Sequence, residues 1–276
     1  MDRKNILLFE PDKKVEKLFI DWLKEEKYSA KPVENPEQIL ARLSEEKFDI
    51  LIIDIDFSEN TESLLNLCQI LKKDQRFLEF PITVLTYRKN IKIIANSIEV
   101  GVDNFILKPF ETDSFLSRLD TIFKQIELKS KGKKVLDLNY VNYLIKLTSE
   151  ATREDFFILS SAIFNKLIID KVKDIIGEPI IVIIIKRLGD LIGEDYGFVK
   201  KVRFSNGKIL MDKVDKVSKD VPVEKLSVAF REYVYGFLQI IHTLTSDILM
   251  ERGGGGTLML SGKPMGVTQK VNKMLM

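Results

Sequence analysis

The chain has 276 residues, 45% apolar and 30% charged, which suits one large folded domain or two ordinary ones. A net charge of +2 offers no electrostatic argument for nucleic acid, one cysteine excludes an internal disulfide, and one histidine excludes a His-cluster metal site and leaves Cys/His zinc ligation without ligands. The longest apolar run, residues 179–185, is too short to cross a bilayer, which takes roughly 20 residues, and the N-terminal apolar stretch is too short for a signal peptide, so a cytoplasmic protein away from membranes is expected.

The first part of the chain alternates between two periods. Residues 5–9, NILLF, form a continuous apolar run, the pattern of a parallel strand buried on both faces. Residues 13–27 then place Val15, Leu18, Phe19, Trp22 and Leu23 at helical spacing. Residues 28–33 read as a short strand that Pro32 assigns to an edge. Asn35 as N-cap and Pro36 at the first helical position start a helix over 35–47. Strands follow at 48–54, 81–86 and 104–110, and helices at 63–74, 91–101 and 112–126. Five strand–helix units in strict alternation predict a doubly wound parallel sheet, with ligands at the carboxyl ends of the strands. The fold class is therefore α/β, a doubly wound parallel sheet over a first domain of residues 1–126.

Residues 127–138 carry four lysines around Gly132 and read as a linker. Residues 139–252 read as a mostly helical output or interaction domain. Thr152 and Asp155 start a helix over 152–177, and residues 178–193 favour a second, buried helix. Asn206-Gly207 supplies a two-residue turn for a hairpin near 198–214. Residues 221–252 read as one long helix in which Phe230, Val234, Phe237, Ile241, Leu244 and Ile248 form a heptad seam. An intrachain core stripe is the plainer reading of that seam. Its functional reading is self-association or docking of a partner through residues 222–251. His242 lies among apolar residues and reads as a packed imidazole. Residues 253–276, opening on four glycines, read as a flexible tail, and the spacing from those glycines to Lys263 does not make a phosphate-binding loop.

The residues just after the apolar runs carry the chemistry. Strand one ends at Glu10, strand three at Asp54, strand four at Thr86 and strand five at Lys108-Pro109. Two carboxylates, a hydroxyl and an ammonium on one rim suit phosphoryl transfer to Asp54, with a divalent cation between the carboxylates and Lys108 as a point charge. In this order and at these strand ends the residues resemble the response-regulator receiver domain, the CheY-like module of two-component signalling, over residues 4–125. The motifs that carry the resemblance are ILLFEPDKKVEKLF, FDILIIDIDFS, PITVLT and GVDNFILKPF. The resemblance implies a flavodoxin-like five-stranded sheet of order 2-1-3-4-5, Asp54 as phosphoacceptor, Thr86 as switch hydroxyl, Phe105 as switch aromatic, Lys108 as the family's lysine, and a cis Lys108-Pro109 bond. It also implies a Mg2+ site, for which Glu10, Asp12, Asp54 and Asp56 are the candidate ligands.

Two departures bear on that site. The family usually has two adjacent acids after strand one. Here Pro11 holds the second position and cannot ligate a metal, so Mg2+ binding is expected to be weak unless Asp12 turns in. Ser58 stands where the family usually has proline. The implied function is a two-component response regulator, not an enzyme, that takes a phosphoryl group from a histidine kinase and controls the helical output domain. The alternative is a receiver-like docking scaffold that no longer takes phosphate. DNA-binding regulation through an unrecognised module ranks third, because no basic recognition helix stands out.

Overall fold

The computed structural model describes residues 3–24, 27–56, 61–87, 90–131, 134–244 and 248–251, without side chains at 134, 135 and 248–251. Ser58, Lys263 and the tail read over 253–276 lie outside the described residues. The chain divides into two compact units, residues 1–126 and 127–276.

The first unit follows the alternating pattern. Strands β1 (Lys4–Phe9), β2 (Tyr28–Val33), β3 (Ile50–Asp54), β4 (Ile82–Tyr87) and β5 (Asn104–Lys108) form one sheet of order β2-β1-β3-β4-β5. Every neighbouring pair in it is parallel. Helices α1 (Lys13–Lys24), α2 (Glu37–Glu45), α3 (Thr61–Lys73), α4 (Ile91–Glu99) and α5 (Thr112–Ser130) connect and flank the strands. This is the flavodoxin-like topology that the sequence predicts. The apolar runs are buried on both faces: Ile6, Leu8, Ile50 and Ile52 join Phe19 of α1 and Phe115 of α5 in one cluster, while Leu7, Leu51 and Ile53 are fully buried on the other face. Pro32 is tolerated because β2 is an edge strand that pairs only with β1. Helix α2 starts one residue later than predicted, with Pro36 at the N-cap position, and the Asn35 Oδ1 accepts from the Gln38 amide at 3.2 Å just ahead of it.

The second unit is mostly helical. Its elements are β6 (Lys134–Asp137), α6 (Leu138–Leu147), α7 (Arg153–Ala162), α8 (Asp170–Ile176), α9 (Glu178–Ile192), β7 (Arg203–Ser205), β8 (Lys208–Leu210), α10 (Asp212–Val217), α11 (Val223–Leu244) and β9 (Ile248–Glu251). Thr152 caps α7 by accepting from the Asp155 amide, as its spacing predicts. Between α7 and α8 the chain widens into π-type turns over Ile163–Ile169, so residues 153–176 form one continuous helical rod. Gly177, at φ 77°, ends it and turns the chain into α9, a backbone angle that a residue with a Cβ resists. The hairpin is shorter than its predicted range. Strands β7 and β8 pair antiparallel around Asn206 and Gly207, at φ 53° and 72°, the positive angles that a two-residue turn requires.

Three expectations are corrected here. Residues 127–138 are not a linker throughout, since α5 continues to Ser130 and β6 pairs in parallel with β9. The helix read over 221–252 stops at Leu244, and Ile248 lies in β9 rather than on the seam. The plainer reading of the seam, an intrachain core stripe, holds for its middle: Val234, Phe237 and Ile241 are 0% exposed, whereas Leu244 is 53% exposed. Phe237 meets the ring of Phe164 edge-on at 5.2 Å. A heptad stripe on a 22-residue helix is filled by neighbouring helices of the same chain as readily as by a partner. His242 lies one residue past this buried stripe and is exposed, not packed.

Candidate functional site

Sheet register sets the site. Phe9 pairs with Ile53, so Glu10 and Asp54 follow at the same level on adjacent strands. Asp54 pairs with Leu85, and Tyr87 with Lys108, which brings the ends of β3, β4 and β5 to one rim. Asp54 is 2% exposed. Its Oδ2 accepts from the Lys108 ammonium, and its Oδ1 accepts from the Asp56 amide at 3.0 Å. The Lys108 ammonium also sits 5.3 Å from the Tyr87 ring centroid, an additional attraction for the cation. The Lys108-Pro109 bond is cis, as the resemblance implied.

Glu10 is buried at 1% exposure. One carboxylate oxygen accepts from the Asp12 amide at 3.0 Å, and the other, Oε2, is buried with no donor in reach. Burial first, and then the Asp54 carboxylate beside it, push the Glu10 carboxyl up to about 8. The Asp12 amide and the Lys108 ammonium oppose that shift without cancelling it. Two carboxylates are thus brought together, and they meet as partners only when a proton or a cation lies between them.

The other two acids read as metal ligands are committed elsewhere. Asp12 is the N-cap of α1: its Oδ1 accepts from the Lys14 amide at 2.8 Å and from the Val15 amide at 3.3 Å, and its carbonyl accepts the first helical bond from Glu16. Pro11 therefore lies one residue before the cap. Asp56 reaches toward the end of β4 and the start of α4. It accepts from the Thr86 hydroxyl at 2.8 Å, the Tyr87 amide at 2.6 Å and the Asn90 side-chain amide at 2.5 Å. The Thr86 hydroxyl thus donates to Asp56 and not to Asp54. Asn90 is a site residue that sequence reasoning missed. Its position just before α4 was a capping signal, yet it makes no side-chain cap bond. Phe105 is buried in β5 opposite Val84.

Among the described residues no group of three or more His, Cys, Asp or Glu side chains is placed to hold a metal ion. The fit to a divalent cation rests on Glu10 and Asp54 alone. The unpartnered, buried Glu10 Oε2 favours it, since such an oxygen costs free energy until a proton or a cation meets it. Cys68 plays no part, because burial pushes its thiol up to about 12.

Residues 6–120 match the family model of the response regulator receiver domain. This segment is a receiver domain. The receiver is similar to parts of several curated proteins. An NtrX-like response regulator of Rickettsia conorii is 28% identical over 138 residues, 48% of this chain and 29% of that protein. The heme response regulator HssR of Staphylococcus haemolyticus is 28% identical over 95 residues, covering 34% of this chain and 40% of that protein. The transcriptional regulatory protein BaeR of Escherichia coli is 26% identical over 120 residues, covering 44% of this chain and 48% of that protein. The chain spans 29% to 34% of the length of the NtrX-like relatives. A solved response-regulator structure from Chloroflexus aurantiacus aligns at 21% identity and a TM-score of 0.40, over 44% of this chain and 98% of that one. Among the described residues no helix is long and apolar enough to cross a membrane.

Proposed function

We propose that the receiver accepts a phosphoryl group on Asp54 from a histidine kinase and that this modification controls the helical second unit. The observation that carries the proposal is the Lys108 ammonium bound to a buried Asp54 carboxylate, beside Glu10 with its one unpartnered oxygen. In the step proposed, an Asp54 oxygen forms a bond to phosphorus as the bond from phosphorus to the donor imidazole nitrogen breaks, and the electron pair leaves with that nitrogen. Lys108 balances the charge that builds on the phosphoryl oxygens. Glu10 and Asp54 would hold Mg2+, which supplies charge neutralisation when bound. With Pro11 in place of an acid and Asp12 in a helix cap, that binding is expected to be weak. Phe105 is the proposed switch aromatic. The output belongs to surfaces of the second unit other than the buried Val234, Phe237 and Ile241 stripe of α11.

A second reading, a docking scaffold that takes no phosphate, is favoured by one observation: the Thr86 hydroxyl is occupied by Asp56. Beryllofluoride with magnesium separates the two. A change in near-ultraviolet circular dichroism that requires magnesium and is lost in Asp54→Asn supports the switch. A wild-type protein that gives no change supports the scaffold. Incubation with acetyl phosphate followed by intact mass measurement supplies a covalent readout of the same contrast.

A further inference from the structure

Asp56 makes more bonds than any other acid at the strand ends, and none of them serves a metal. Its amide donates to Asp54 Oδ1 at 3.0 Å. Its carboxylate gathers three donors from one segment, the end of β4 and the residue before α4: the Thr86 hydroxyl, the Tyr87 amide and the Asn90 side-chain amide. A hydroxyl has one proton to give. While Thr86 gives it to Asp56, a phosphoryl oxygen on Asp54 cannot have it. A phosphoryl group would also bring negative charge against the Asp56 carboxylate, two residues along the chain.

Asn90 adds a second arrangement. It occupies the N-cap position of α4, where an asparagine side chain ordinarily accepts from a first-turn amide, yet here it makes no such bond and its backbone stands at φ −87°, ψ 55°. Its side chain is turned to Asp56 instead. Release from Asp56 frees it to cap the helix. One segment therefore has two sets of partners, the ingredient a switch needs.

We propose that Asp56 is a positioning residue: it latches Thr86, Asn90 and hence the start of α4 in the unmodified protein, and a phosphoryl group on Asp54 acts by displacing it. The inference rests on the reading of Asp54 as phosphoacceptor. Like charge and competition for the Thr86 proton act in the same direction, so the latch raises the threshold for the modified state.

The test uses the full chain as wild type, Asp56→Ala and Asp56→Asn. Two readouts are taken: hydrogen exchange at the Tyr87 amide without any additive, and the concentration of beryllofluoride, at fixed magnesium, that gives the half-maximal response. Loss of a hydrogen bond to a charged acceptor should speed Tyr87 exchange by roughly tenfold or more in Asp56→Ala. The half-maximal beryllofluoride concentration should fall about fivefold or more in the same variant, and Asp56→Asn should lie between it and wild type, because it keeps an acceptor oxygen without the charge. A merely structural Asp56 would loosen the turn without tightening beryllofluoride binding. Unchanged Tyr87 exchange overturns the latch. Faster exchange with equal or weaker beryllofluoride binding overturns the displacement. Absence of any response in both wild type and Asp56→Ala overturns the reading of Asp54 itself, and the displacement with it, while the Tyr87 rate still decides whether the latch exists.

Discussion

Replacing Glu10 by glutamine tests the electrostatics of the strand-end pair. Glu10 is 1% exposed and its carboxyl is raised from 4.5 to about 8. Below about pH 4.5 the folded and unfolded chains both hold the proton, and the group adds no pH dependence. Between there and about pH 8 the folded protein keeps a proton that the unfolded chain has lost. Stability then falls as pH rises, by about 1.4 kcal/mol per pH unit, to a total of the order of 5 kcal/mol, and the curve flattens above pH 8. Glutamine cannot ionise, and its amide donates to Asp54 as the protonated acid does. Glu10→Gln should therefore match wild type near pH 4.5 and exceed it by about 3–5 kcal/mol at pH 8.5. Urea unfolding followed by tryptophan fluorescence reads this directly. Trp22 is the chain's one tryptophan, and it packs on the first unit's core, 5.6 Å from the Phe19 ring and 6.1 Å from that of Phe115. Magnesium at pH 8.5 should recover stability in wild type and much less in the variant, because a cation can take the place of the proton. Parallel stability curves for the two proteins from pH 4.5 to 8.5 would refute the reasoning.

Lys108→Met removes the cation from a carboxylate that is 2% exposed, and should cost about 3–5 kcal/mol at neutral pH in the same tryptophan-monitored unfolding. Adding Asp54→Asn to it should restore part of that loss; simple addition of the two costs would show that the pair does not interact. In the second unit, Asn165 is buried and both donates to the Ile209 carbonyl, at 3.2 Å, and accepts from the Ile209 amide, at 2.6 Å. Asn165→Leu should strand two backbone groups of β8 and cost about 2–4 kcal/mol, read as a lower melting temperature by far-ultraviolet circular dichroism. Phe164→Ala should cost about 3–5 kcal/mol, because that fully buried ring meets Phe230, Tyr233 and Phe237 edge-on at 5.2 to 6.3 Å.

The sheet was legible because parallel strands buried on both faces must be apolar throughout. NILLF and ILIID announce themselves, and strict alternation with helices then leaves few topologies. The second unit was less legible because its determinants are not local. The widened turns at Ile163–Ile169 have the apolar content of an ordinary helix. What marks them is Asn165, whose partner Ile209 is 44 residues away. The heptad spacing was present in the sequence, but spacing alone does not say whether a stripe is covered by the same chain or by another. Strand β9 was hidden because Ile248 fits the seam's period, and its pairing with β6 joins residues more than a hundred positions apart.

The same division runs through the site. Asp54 and Lys108 were readable because strand ends in a parallel sheet face one rim, so their meeting follows from topology. Glu10 was readable for the same reason. The directions of Asp12 and Asp56 were decided instead by which donors compete for them. At Asp12 the competitors are local: free amides at the start of α1 draw the carboxylate into a cap, and the spacing of Asp12 from Val15 would have sufficed to predict it. At Asp56 they come from residues 86–90, at least 30 positions away, and only the folded sheet brings them together. Both diversions leave the site with two carboxylates and one ammonium, a formal charge of one negative when both acids are ionised. A divalent cation over such a site leaves it with net positive charge, where a third carboxylate would have brought it to neutrality. On the function proposed above, the balance of acids at the strand ends predicts weak magnesium binding in the resting protein and firmer binding with beryllofluoride present, which a magnesium titration of Trp22 fluorescence with and without beryllofluoride checks; equal affinity in the two titrations would refute it.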